Sequence, residues 1–108
     1  MKVSVMLRSD PVRLATEQAI GLTGAEIVRD PDEAQAVITD GHRLMLSCLK
    51  RGKQVVQFLA GPQDQPAEGL LGTYPEQFKV FMLGEVAPMM GHIAELARKS
   101  EINLHQSS

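Results

Sequence analysis

The chain has 108 residues, 44% hydrophobic and 22% charged, with 11 Lys and Arg against 13 Asp and Glu. That length fits one compact domain, and the balance excludes disorder as a description of the whole chain. A formal charge of -2, with no basic run longer than Lys50-Arg51, removes the electrostatic footprint of non-specific nucleic-acid binding, so no nucleic-acid partner is expected.

One cysteine cannot form an internal disulfide, and no apolar run approaches a membrane span. The N-terminus lacks a secretory pattern, so the expectation is a cytoplasmic protein without membrane contact. Residues 2–7 are short and apolar, with β-branched Val3 and Val5, and predict a largely buried strand. Asp10-Pro11 pairs an N-cap residue with the residue favoured at the first helical position, predicting a helix over 11–23. Its apolar stripe is Val12, Ala15, Ala19 and Leu22, and Gly24 follows in the left-handed conformation.

Residues 25–28 predict a second short strand, after which Asp30-Pro31-Asp32-Glu33 leaves room for a turn or so of helix. Residues 36–39 predict the third strand. Asp40-Gly41 then opens a helix with Leu44, Met45, Cys48 and Leu49 on one face, Lys50 and Arg51 at its negative end, and Gly52 closing it. Residues 54–59 predict the fourth strand. Over 61–77 the breakers Pro62, Pro66, Gly69, Gly72 and Pro75 predict an irregular connection without a long helix, in which Leu70 and Leu71 either pin the loop to the core or face a partner. Residues 78–83 predict the fifth strand. Val86, Met89, Met90, Ile93, Leu96 and Ala97 mark a last helix, and residues 102–108 read as a frayed polar tail.

Strands alternating with helices predict an α/β domain over residues 1–101. The expected architecture is a three-layer sandwich around a mostly parallel five-stranded sheet in the flavodoxin-like order 2-1-3-4-5. Seven residues separate Val28 from Ala36, fewer than a parallel crossover usually needs, so an edge strand is expected to be short, displaced or antiparallel.

In such sheets ligands collect outside the carboxyl ends of the strands, where strand order reverses. That rule selects Arg8, Ser9 and Asp10 after the first strand, and Thr39, Asp40, Gly41, His42 and Arg43 after the third. It adds Ala60 and Gly61 after the fourth strand, and Gly84 and Glu85 after the fifth. No catalytic residue is assigned among them. Asp10, Asp40 and Glu85 have the chemistry of a hard-oxygen site for a divalent cation such as Mg²⁺. The competing reading, adopted here, makes Asp10 and Asp40 helix N-caps and Glu85 a first-turn acid, with no metal assigned.

A phosphate site would use the helix starts at Pro11 and Gly41 with Arg8 and Arg43 beside them. G-x-G-x-x-G and G-x-x-x-x-G-K-[ST] are both missing, which disfavours classical dinucleotide and P-loop binding, and no cofactor is expected. Cys48 reads as a buried, inert thiol, His42 as a solvated first-turn side chain and His92 as a residue on the polar side of its helix.

With an acid after the first strand at Asp10 and another after the third at Asp40, the chain resembles a two-component receiver domain in outline. The resemblance implies Asp40 in the place of the phospho-accepting aspartate. Ser9-Asp10 supplies one acid where receivers have two. Ala60-Gly61 stands where they have Ser or Thr, and Gly84-Glu85 where they have Lys. The resemblance therefore implies a degenerate, unphosphorylated receiver. The first reading is a non-enzymatic interaction or regulatory module acting through a protein partner or self-association; the alternative is a small-molecule or phosphate-binding domain, with or without catalysis, using the carboxyl edge and a lid from residues 61–77.

Overall fold

Val3, Val5, Ala36, Val37, Ile38, Val55, Val56 and Phe58 are buried, as strands covered on both faces require. They belong to the three inner strands of a five-stranded, wholly parallel sheet of order β2-β1-β3-β4-β5. The computed structural model describes residues 1–59, 61 and 64–106, with side chains through residue 99. Its strands are β1 (Lys2–Met6), β2 (Glu26–Ile27), β3 (Ala36–Thr39), β4 (Gln54–Leu59) and β5 (Phe78–Met82). Its helices are α1 (Asp10–Gly21), α2 (His42–Lys50), α3 (Glu68–Thr73) and α4 (Val86–Gln106), with 3-10 turns at Pro31–Glu33 and Leu83–Glu85. This is the flavodoxin-like α/β architecture.

Alternate residues along each strand build two cores. Val3, Val5, Ile38, Val56 and Phe58 pack with Ile20 of α1 and with Met89 and Ile93 of α4. Val37, Val55 and Phe78 pack on the other face with Met45, Cys48 and Leu49 of α2. Leu70 and Leu71 of α3 join this second core, so the middle of the breaker-rich connection is a short helix pinned to the sheet.

Two local expectations are corrected. Helix α1 starts at Asp10 and ends at Gly21, and its buried residues are Thr16 and Ile20. Leu22 is 82% exposed in the turn beyond the helix. Thr16 is accommodated inside because its hydroxyl donates to the Val12 carbonyl at 2.7 Å. The second is His92, which is half-buried with its ring 5.8 Å from that of Phe81, centroid to centroid. Helix α4 runs to Gln106.

The short link between β2 and β3 keeps the parallel direction. It does so because β2 has only two residues and one 3-10 turn replaces the usual crossover helix. Asp30 caps that turn, accepting from the Asp32 N–H at 2.9 Å. Arg51 pairs with Asp32, and Lys53 donates to the Asp32 and Ala34 carbonyls, tying the turn to the end of α2. With no helix there, Met6 on β1 is left 39% exposed.

Candidate functional site

Met6 at the end of β1 lies beside Thr39 at the end of β3. From this point the chain leaves β1 for β2 on one side and returns to β3 on the other, so strand order reverses here. Thr39, buried, fixes the exit of β3: its hydroxyl donates to the Met6 carbonyl at 2.9 Å and accepts from the Gly41 N–H at 3.1 Å. Gly41 is therefore the N-cap of α2, without a side-chain cap.

Asp40 is thereby freed from the capping role expected of it. Its Oδ2 accepts from the Arg8 N–H at 3.3 Å and from Arg8 Nε at 3.2 Å, with the carboxylate side chain only 10% exposed. Asp10 is also not a cap. The N-cap of α1 is Ser9, which makes no side-chain cap bond, while the Asp10 side chain is 81% exposed and lies 3.7 Å from Arg13. Glu85 closes its own 3-10 turn, accepting from the Met82 N–H at 2.9 Å. Among the described residues no three His, Cys, Asp or Glu side chains assemble a group able to hold a metal ion. Asp10, Asp40 and Glu85 thus form no cation cluster.

What does assemble is an open cleft of about 690 Å³ at the carboxyl ends of β1, β2 and β3. Its walls include the apolar side chains of Met6, Val28 and Leu44, and its cations are Arg8, Arg13 and Arg29, with Glu17 and Asp40 as acids. Arg13 donates to Glu17 at 2.9 Å, one helical turn along α1. Arg29 makes no side-chain hydrogen bond or ion pair among the described residues. A neighbouring cleft of about 490 Å³ is lined by Arg8, Asp40, Gly41, His42, Gln57, Asp64 and Gln65. Arg8 lines both clefts, and its Nη2 reaches Asp64 Oδ1 at 3.4 Å.

Gln57 organises the second cleft. It is a buried amide in the middle of β4, and it is satisfied by the chain that follows: Nε2 donates to the Gln65 carbonyl at 2.9 Å, and Oε1 accepts from the Ala67 N–H at 2.8 Å. Gly61 donates its N–H to Asp64 Oδ2 at 3.2 Å.

Of the residues selected from sequence, Arg8, Thr39, Asp40 and Gly41 line the first cleft, and His42 lines the second. Ser9, Asp10, Arg43, Gly61, Gly84 and Glu85 line neither. Ala60 lies outside the described residues. Sequence reasoning missed Arg13, Glu17, Arg29 and Gln57. Arg29 directly follows the strand expected over 25–28 and lies two residues past the observed β2, so the carboxyl-end rule would have selected it had that strand been included. Gln57 was visible as a lone amide inside the apolar run QVVQFL.

Comparison with protein-family models, with curated proteins and with solved structures finds no match. Cys48 is 2% exposed, and burial raises its thiol pKa, which suits a packing residue better than a nucleophile. His42 is exposed at the start of α2.

Proposed function

We propose that the protein is a small-molecule-binding domain whose site is the cleft at the carboxyl ends of β1, β2 and β3. The observation that carries this reading is the coincidence of that cleft with the reversal of strand order, where open α/β sheets bind their ligands. Its volume of about 690 Å³ suits a compact organic ligand, and its mixture of apolar wall and few charged groups is the usual make-up of such a site. No catalytic role is assigned, because Glu17 and Asp40, the acids that line it among the described residues, are both held by arginines. The degenerate-receiver reading has less support: Asp40 is engaged by Arg8, and a single 3-10 turn stands where a crossover helix would follow β2.

The test is a screen of neutral, cationic and anionic fragments by amide chemical-shift mapping on the ¹⁵N-labelled protein. Binders are expected to shift the amides of Arg8, Val28, Gly41 and Leu44 together. Binders that map to other faces, or a library in which no compound moves these amides, would overturn the reading.

Protein interaction is a second reading, favoured by Met82 and Leu83, adjacent and 58% and 52% exposed at the end of edge strand β5. It requires that Met82→Ser with Leu83→Ser lower any self-association seen by sedimentation.

A further inference from the structure

We infer that the ligand of the β1–β2–β3 cleft is an organic anion, with an apolar body lying against Met6, Val28 and Leu44 and a carboxylate or phosphate-ester head bound by arginine. The inference rests on the reading of this cleft as the binding site and names its ligand class. Two independent features of the cleft lead to it.

The first is the apolar wall. Met6 occupies the stretch of sheet that a helix between β2 and β3 would cover, and its exposure exists only because a 3-10 turn takes that helix's place. Val28 and Leu44 continue the wall from the end of β2 and the first turn of α2, and both are only half-buried. Apolar surface on the wall of a concave site is energetically satisfied by the body of a ligand, not by water.

The second feature is the set of cations on the same cleft. Arg8 spends Nε on Asp40 and Nη2 on Asp64, leaving Nη1 without a partner among the described residues. Arg13 is held by Glu17 through Nη1. A guanidinium fixed by carboxylates on one side is already oriented, and it presents its remaining N–H groups without a further loss of side-chain freedom. Arg29 has no such partner, so its positive charge is available in full to an incoming anion. Three arginines line the cleft; Arg8 is answered by Asp40 and Asp64 and Arg13 by Glu17 and Asp10, which leaves Arg29 as the cleft cation without an acidic partner among the described residues. A neutral ligand would leave Arg29 unanswered, and a cationic one would meet it directly. An inorganic anion would leave the apolar wall uncovered.

The experiment measures dissociation constants from amide-shift titrations with phenyl phosphate, benzoate, benzyl alcohol and inorganic phosphate. Each is run on the wild type, on Arg29→Gln, and on Arg98→Gln, an arginine of α4 outside the cleft. Arg29 is exposed and has no side-chain partner among the described residues, so its variant is expected to keep the wild-type melting temperature. Phenyl phosphate or benzoate is expected to shift the cleft amides and bind roughly tenfold or more tightly than benzyl alcohol or inorganic phosphate. Arg29→Gln should weaken the better anion roughly fivefold or more, and Arg98→Gln by less than about twofold. The ratio of phenyl phosphate to benzoate assigns the head group.

Benzyl alcohol binding in the cleft as tightly as the anions would overturn the ligand class and leave the site intact. So would an affinity untouched by Arg29→Gln. If none of the four probes moved the cleft amides while a cationic or neutral fragment from the screen did, the inference would fail and the site would stand. Silence from every compound would remove both.

Discussion

Asp40 shows how one residue's register decides its chemistry. Asp-Gly before an apolar helix has the look of an N-cap, and a cap would tolerate Asn with little loss. Thr39 takes the Gly41 N–H instead, and the carboxylate turns to Arg8. Asp40→Asn is therefore expected to cost about 0.5–1 kcal/mol in urea unfolding, the scale of a partly exposed ion pair. The same substitution on an Arg8→Gln background should cost less, and a double-mutant cycle reads the difference as coupling. Gln57→Leu removes both bonds to the 65–67 segment and should destabilise by roughly 1–3 kcal/mol while speeding hydrogen exchange at the Ala67 amide. At His92, burial, with Lys79 second, lowers the pKa below its ordinary value, so the folded state favours the neutral ring. The resulting stability is complete above the unfolded pKa of about 6.5 and falls as pH drops from there through the folded pKa. His92→Gln should flatten that part of a pH–stability profile, and an unchanged slope would contradict the assignment. None of these partnerships could be read from sequence, because each depends on which of several neighbouring groups a side chain reaches.

The elements themselves were more legible. The inner strands announce themselves as short, nearly continuous apolar runs, and the carboxyl end of α2 follows from Gly52, whose φ of +80° places it in the left-handed region. A Cβ added at Gly52 meets nothing within 4 Å, so Gly52→Ala should cost about 1 kcal/mol from backbone strain alone, measured by thermal or urea unfolding. The stripe of α1 was misassigned because Thr16, a polar residue, is buried with its hydroxyl satisfied inside the helix, whereas Ala15 and Leu22 are exposed. In the 61–77 connection the density of Pro and Gly did prevent a long helix, yet Leu70 and Leu71 had enough apolar surface to fold six residues onto the sheet as α3.

At the scale of the molecule, the alternation of strands and helices pointed to the flavodoxin-like strand order that the sheet adopts. The candidate site was only half legible. The carboxyl-end rule found Arg8, Thr39, Asp40 and Gly41, but the cleft also needs Arg13 from the second turn of α1, Arg29 beyond β2, and the uncovered Met6. Those depend on how far a two-residue strand extends and on a helix that is replaced by a single turn, which are properties of the assembled chain. The most direct measurement is a crystal structure of the protein soaked with phenyl phosphate. The account predicts density for the ring against Met6 and Leu44, with the phosphate oxygens about 3 Å from the Arg29 guanidinium. Density on another face of the sheet, or an empty cleft at saturating phenyl phosphate, would contradict it.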